Sequence, residues 1–144
     1  MAPPSKRFQP IQRIADDRER KAAIALGEKL KAKQDAERQL QILTDYHADY
    51  LERYRQAMQA GLPAAQIRGY QNFLDQLETA ITQQKQILQG HQGACDASKA
   101  HWNDQYRRSQ VMNNVVDRLK QDERRHMDKR EQSDLDERNQ RKSD

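Results

Sequence analysis

The most constraining feature of this 144-residue sequence is the distribution of its four prolines. Three lie at or before residue 10, and the fourth, Pro63, follows Gly61 near the middle of the chain. Because proline inside a helix removes a hydrogen bond and clashes with the preceding turn, at a cost of about 3 kcal/mol, the long proline-free stretches can be helical. Gly61 suits the left-handed position after a helix end, and Pro63 suits the first turn of the next helix. The sequence predicts two very long helices that fold back on each other at residue 61.

The composition favours the same fold. Charged residues make up 33% of the chain and hydrophobic residues 35%, with a mean hydropathy of −1.25. This is too little apolar material for a thick globular core, whereas the seam between two helices needs much less. In no segment do apolar and polar residues alternate as they would in a β-strand. We expect one all-α domain over 1–144, a long antiparallel two-helix coiled coil with helix one at about 10–60, a turn at 60–66, helix two at about 67–132 and a frayed C-terminal tail.

A heptad pattern supports the pairing of the two helices. In the second half, seam positions spaced alternately by three and four residues run without loss of register. They are Leu74, Leu77, Ile81, Gln84, Leu88, His91, Cys95, Ser98, Trp102, Gln105, Ser109, Met112, Val116 and Leu119. A weaker counterpart in the first half is Leu26, Leu30, Lys33, Glu37, Leu40, Thr44, His47, Leu51, Tyr54 and Met58. With the bend near residue 62, Leu51 should lie opposite residues near 73 and Ile11 opposite residues near 113.

A second stripe lies on a face rotated from this seam. On helix one it comprises Gln39, Leu43, Tyr46 and Tyr50, and on helix two Phe73, Leu77, Ala80 and Gln84. Since a hairpin needs only one inward face, aromatic residues on a second face can form a partner-binding surface. The same residues can instead complete a seam that is wide near the bend. The pattern alone leaves both interpretations open.

The residues of the bend region carry a family resemblance. The ordered motifs are Gln39-Leu40-x-x-Leu43-x-Asp45-Tyr46-x-x-x-Tyr50, then Tyr70-Gln71-x-Phe73, then Leu77-Glu78-x-Ala80-Ile81-Thr82-Gln83. This combination resembles the flagellar export protein FliJ family over most of the chain, most strongly around the bend. The resemblance implies a long antiparallel two-helix coiled coil that is similar to the rotor stalk of rotary ATPases.

The resemblance also implies a function. Family members are soluble components of the flagellar type III export apparatus that bind the hexameric export ATPase, the cytoplasmic linker of the membrane export gate, and export chaperones. The gate-binding cluster of the family maps onto Gln39, Leu43, Tyr46, Tyr50, Phe73, Leu77, Ala80 and Gln84, with Gln84 where the family motif has a histidine. The implied location is the cytoplasm, in peripheral association with the inner membrane at the flagellar base.

The ATPase is expected to bind the open end of the hairpin, because in the family the joined N- and C-terminal ends enter the centre of the ATPase ring. The candidate residues are the last apolar residues before charged residues predominate, together with the arginines beyond them. They are Ile11, Ile14, Val115, Val116, Leu119, Arg118, Arg124 and Arg125. The alternative is that the segment from Asp117 onward is a solvated, disordered tail.

Other chemistry has little support in the sequence. His91 and Cys95 form the only His/Cys pair at helical ligand spacing, and two ligands are too few for a zinc site. No phosphate-binding Gly-x-x-x-x-Gly-Lys loop occurs, so we expect that the chain does not itself hydrolyse nucleotide. We also expect no enzyme activity, no cofactor and no small-molecule substrate. One cysteine precludes an internal disulfide and favours a reducing compartment. We expect neither an export signal nor a membrane span.

The net charge of +4 raises one alternative function. A generic structural coiled coil, or a helical protein that binds nucleic acid, can be basic. Here, however, acidic and basic residues alternate along the chain, and the segment 117–144 contains nine of each. Because this produces no one-sided basic stripe, we expect no nucleic-acid partner.

Overall fold

The computed structural model describes residues 2–143, which form two α-helices and no β-strand. Helix α1 spans Pro4–Ala60 and helix α2 spans Ala64–Ser143, with 57 and 80 residues. The two helices pack against each other in antiparallel directions. The predicted all-α hairpin is therefore confirmed.

The turn between the helices is shorter than the predicted range of 60–66. Gly61 has a φ of 91°, the left-handed conformation that glycine adopts without a steric penalty, and its N–H donates to the Met58 carbonyl at 3.2 Å. The Pro63 carbonyl then accepts hydrogen bonds from the N–H groups of Gln66 and Ile67, at 3.0 and 3.2 Å. Pro63 therefore directly precedes α2, which begins at Ala64 instead of near residue 67.

Helix α1 begins at Pro4, earlier than the predicted start near residue 10. The missing N–H of proline has no cost at the first helical position, and the Pro3 carbonyl accepts from Lys6 N–H at 3.0 Å. The helix continues through Pro10. Hydrogen bonds to α2 lie on both sides of this proline, from Ser5 and from Gln12, and they hold the first turns in place.

Helix α2 continues to Ser143, where the sequence predicts a frayed tail. All side chains from residue 124 to 143 are exposed, so no tertiary packing holds this segment. Its last turn contains Arg141 and Lys142, whose positive charge complements the negative end of the helix dipole.

The chain divides into two compact units. The bend unit comprises Ile24–Ala100, and the terminal unit combines the residues up to Ala23 with those from His101 onward. Hydrogen bonds between polar side chains join the helices in the terminal unit. Trp102 Nε1 donates to Glu19 at 2.9 Å, and Ser109 Oγ donates to Asp16 at 2.6 Å. Gln12 Nε2 donates to Asn113 at 2.7 Å, which confirms the predicted register near residues 11 and 113.

Aromatic side chains join the helices in the bend unit. Tyr50 contacts Phe73 with ring centroids 4.5 Å apart, which agrees with the predicted pairing of residues near 51 and 73. Farther from the bend, Gln84 Nε2 donates to the Ala36 carbonyl at 3.2 Å, so α1 and α2 remain antiparallel and in register.

The α2 seam is confirmed, because each of its predicted positions is buried or half-buried in its own unit. The α1 seam is confirmed only in part. Its predicted positions Leu26, Lys33, Leu40, His47, Leu51 and Tyr54 are half-buried, whereas Leu30, Glu37, Thr44 and Met58 are exposed. The residues that precede the last three, Ala36, Leu43 and Ala57, face inward instead. The observed choice keeps the charge of Glu37 in water and lets the small Ala36 bring the helices close together.

No helix formed by residues 2–143 has an apolar stretch long enough to cross a membrane.

Candidate partner-binding surfaces

Five aromatic rings form a cluster close to the turn. Tyr46, Tyr50 and Tyr54 come from α1, while Tyr70 and Phe73 come from α2. The ring centroid of Phe73 lies 6.0 Å from that of Tyr46, which it meets edge-on, and 4.5 Å from that of Tyr50. The ring centroid of Tyr70 lies 5.2 Å from that of Tyr50 and 5.4 Å from that of Tyr54. Because aromatic pairs at such separations add about 0.5–1.5 kcal/mol each beyond the burial of their surface, this cluster is a major interhelical contact of the bend unit.

The residues predicted for the gate site do not share one environment. Leu77 is buried, whereas Leu43, Tyr50, Phe73, Ala80 and Gln84 are half-buried. Several of them contact the opposite helix: the Tyr50 ring packs against Phe73, and Gln84 donates a hydrogen bond to the Ala36 carbonyl. Only Gln39 and Tyr46 are exposed, with Tyr46 at 51%. Most of the stripe therefore belongs to a wide seam, and its rim is accessible to a partner.

One member of this rim, Ile42, was not predicted from the sequence. Ile42 is exposed and precedes Tyr46 by four residues, so the two side chains lie on the same face of α1 as Gln39. We call Gln39, Ile42 and Tyr46, with the outer edge of Phe73, the aromatic rim. The spacing of 39, 42 and 46 is the helical signal that could have identified Ile42.

Polar contacts border the aromatic rim. His47 Nε2 lies 3.5 Å from Glu78 Oε1 across the seam, and Asp49 pairs with Arg53 at 3.2 Å along α1. Gln71 Nε2 donates to the Tyr54 hydroxyl at 3.4 Å, on the side towards the turn. The aromatic rim is thus small and is bounded by solvated groups, an arrangement typical of a protein contact surface.

The residues predicted for the ATPase site lie at several different places in the terminal unit. Val116 is fully buried in the seam, so it cannot contact a partner directly. Val115 and Leu119 are half-buried, while Arg118, Arg124 and Arg125 are exposed. Leu119 and Arg125 line a shallow surface, which we call the terminal patch, together with Pro4, Asp122, Glu123 and His126.

Glu123 connects the terminal patch to the start of α1. Its carboxylate accepts from the Ser5 backbone N–H at 3.0 Å and from Ser5 Oγ at 2.7 Å. The backbone hydrogen bond from Ser5, then the bond from its side chain and the nearby charges of Lys120 and Lys6, hold the pKa of Glu123 below its ordinary value. One carboxylate of α2 therefore satisfies donors at the first turn of α1, where a negative charge is also favoured by the helix dipole.

Ile11 and Ile14 belong to a different surface from Leu119. They are exposed and lie along an open groove of about 390 Å³ between the helices. We call it the isoleucine groove, and α1 contributes Ile11, Ile14, Ala15 and Arg18 to it. Helix α2 contributes Gln105, Arg107, Arg108, Val111 and Met112.

The described residues 2–143 contain no group of three or more His, Cys, Asp and Glu side chains that could hold a metal ion. Cys95 is a buried free thiol, and His91 is half-buried beside it in the seam. Both are therefore seam residues.

Comparisons with known proteins relate the chain to one family. The family model described as "Flagellar FliJ protein" matches residues 5–143. The chain is 32% identical over 108 residues to the flagellar FliJ protein of Escherichia coli strain K12, which covers 75% of this chain and 74% of that protein. It is 29% identical over 111 residues to the flagellar FliJ protein of Salmonella typhi, with 77% and 76% covered. No solved structure matches the chain. Because the family model covers nearly the entire sequence, the chain belongs to the flagellar FliJ protein family.

Proposed function

We propose that this FliJ-family chain, a component of the flagellar export apparatus, links the hexameric export ATPase to the membrane export gate. The observation that carries the proposal is that one chain has two separate exposed surfaces of different chemistry. The aromatic rim lies in the bend unit, and an arginine-rich α2 segment lies in the terminal unit. We further propose that the chain interacts with export chaperones and works in the cytoplasm, peripherally associated with the inner membrane at the flagellar base.

The aromatic rim is the proposed contact for the cytoplasmic linker of the gate. Tyr46 is the large anchor of this surface, because half of it is exposed while its edge rests against Phe73. A tyrosine supported in this way loses little conformational entropy on binding, and such residues often contribute about 2 kcal/mol or more to an interface. Leu77 and Gln84 act indirectly, since they hold the helices in register beneath the rim.

The proposed ATPase contact combines the terminal patch with the exposed helix that follows it. Arg124 and Arg125 begin a stretch of α2 in which every described side chain is exposed. Met127 and Leu135 are large apolar residues in this stretch. A helix without tertiary packing gains stability when a partner covers such residues, which is consistent with a segment that enters a ring-shaped assembly.

A pair of variants tests the two contacts separately. Tyr46→Ala should weaken binding to the purified gate cytoplasmic domain at least about tenfold and leave ATPase binding unchanged. A chain ending at Glu123 should bind the ATPase more weakly and the gate domain as before, because it retains the Ser5–Glu123 contact but lacks the exposed α2 segment. Tyr106→Ala is the matched control, since Tyr106 is an exposed tyrosine of α2 outside both sites.

Binding can be measured by isothermal titration, with circular dichroism to confirm that each variant remains helical. Unchanged gate binding by Tyr46→Ala would remove the aromatic rim from the proposal. Unchanged ATPase binding by the chain ending at Glu123 would likewise rule out the α2 segment as the ATPase contact.

A further inference from the structure

The isoleucine groove of the terminal unit has a chemistry of its own. Ile11 and Ile14 were predicted as ATPase contacts, but the groove joins them to Arg18, Arg107 and Val111, which belong to neither proposed site. We infer that this groove binds an acidic amphipathic helix of a partner protein. The inference goes beyond the proposed function, because it adds a third contact and specifies the chemistry of its occupant.

The shape of the groove suits a helix. Residues 11, 14, 15 and 18 follow the spacing of one helical face, so α1 provides one wall about 10 Å long. Val111 and Met112 lie along the opposite wall on α2. Ile14 is 53% exposed and Val111 is 59% exposed, so apolar surface remains uncovered on both walls. Two antiparallel helices with a shared apolar groove can accept a third helix, which would insert apolar anchors at positions i, i+3 or i+4, and i+7.

The charge of the groove favours an acidic occupant. Three arginines line it, and no lining residue is acidic. Arg108 pairs with Asp104 of its own helix at 3.4 Å. Within residues 2–143, neither Arg18 nor Arg107 has a carboxylate within ion-pair distance. Guanidinium groups at the edge of an apolar floor attract carboxylates on the flanks of an incoming helix and repel a basic helix of equal hydrophobicity.

A peptide-binding experiment with the full-length chain tests this inference. The probe is a fluorescent peptide about four turns long, with leucine at i, i+3, i+4 and i+7 and glutamate elsewhere. Two control peptides differ in one property each. One replaces the glutamates by lysines, and the other keeps the composition but scrambles the leucine positions. Fluorescence anisotropy should show saturable binding, with one peptide per chain, for the acidic amphipathic peptide only.

Variants of the chain assign any binding to the groove. Val111→Asp should raise the Kd at least about tenfold. The double variant Arg18→Glu with Arg107→Glu should lose the acidic peptide and gain the lysine peptide. Ile24→Asp is the matched control, because Ile24 is exposed at 64% on α1 but lies outside the groove, and its Kd should stay within about twofold of the parent value.

Several outcomes would overturn the inference. They are equal binding of the acidic and lysine peptides, unchanged binding by Val111→Asp, or a self-associated chain whose groove is closed to peptide in sedimentation experiments. The double arginine variant and the chain ending at Glu123 separate this test from that of the proposed function. The double arginine variant should retain ATPase binding, and the chain ending at Glu123 should retain peptide binding. Failure of the groove inference can therefore be distinguished from failure of the proposed ATPase contact.

Discussion

At the scale of single residues, Glu123 shows how one side chain can determine where a helix begins. The four N-terminal N–H groups of a helix have no partners within it, and α1 also contains a proline at position 10. The carboxylate of Glu123 accepts the Ser5 backbone N–H and the Ser5 hydroxyl from across the seam. A residue of α2 thereby acts as a cap for the first turn of α1. This contact lies seven residues before Gln12, which makes the next hydrogen bond to α2.

This contact predicts a pH dependence at the start of α1. Because folding lowers the pKa of Glu123, its stabilising contribution is complete above the ordinary glutamate pKa of about 4.3 and is lost as the pH falls through the lowered value. The protection factors of the amides at residues 5–9, which correct for the pH dependence of intrinsic exchange, should therefore fall in acid. Glu123→Gln should show faster exchange already at neutral pH, because the amide lacks the charge that favours this position.

Glu131→Gln is the matched control, since Glu131 is an exposed residue of the same helix. It should leave exchange at residues 5–9 unchanged at neutral pH. Equal protection in the parent chain and in Glu123→Gln would show that the cap does not stabilise α1.

At the scale of the helices, the two seams show which patterns can be interpreted from the sequence. On α2 one three-four spacing runs unbroken from Leu74 to Leu119, and the predicted register is correct. On α1 two registers share Lys33, Leu40 and His47 and differ in the residues between them. The observed register uses Ala36 and Ala57 as well as Leu43, and the burial of alanine gives a weak hydropathy signal but allows the helices to approach closely.

Helix spacing and register also explain which parts of the candidate sites could be predicted. Tyr46 and Phe73 were identified together because helical spacing and the turn at Gly61 place them on opposite helices at one level. The isoleucine groove and the Ser5–Glu123 contact were not identified, because both depend on the exact register of residues about 100 positions apart. The inward position of Tyr50 followed only once the α1 register was known.

The corrected register predicts different effects for neighbouring tyrosines. Tyr50→Ala should lower the free energy of unfolding by about 2 kcal/mol, because the half-buried ring contacts both Tyr70 and Phe73. Tyr46→Ala should lower it by less than about 1 kcal/mol, since that ring is mainly exposed. Urea denaturation followed by circular dichroism measures both values. Equal destabilisation by the two substitutions would place Tyr46 in the seam and weaken its assignment to the aromatic rim.

At the scale of the whole molecule, the chain combines surfaces of different chemistry, for which we have proposed different roles. The bend unit carries the aromatic rim, and the terminal unit carries the isoleucine groove, the terminal patch and the exposed end of α2. Helices α1 and α2 each pass through both units without a break. A chain built in this way can bind several partners through separate residues, and its effect on the export apparatus then depends on whether those partners bind together.

Formation of a three-component complex is the decisive test of the proposed link between the ATPase and the gate. Immobilised export ATPase should retain the gate cytoplasmic domain only when the full-length chain is added, and retention should saturate as the chain concentration rises. With Tyr46→Ala the ATPase should retain as much of the chain as before but less of the gate domain at each gate concentration, and it should retain less of the chain that ends at Glu123. If the full-length chain binds each partner alone but the gate domain displaces it from the ATPase, the proposed link between them is contradicted.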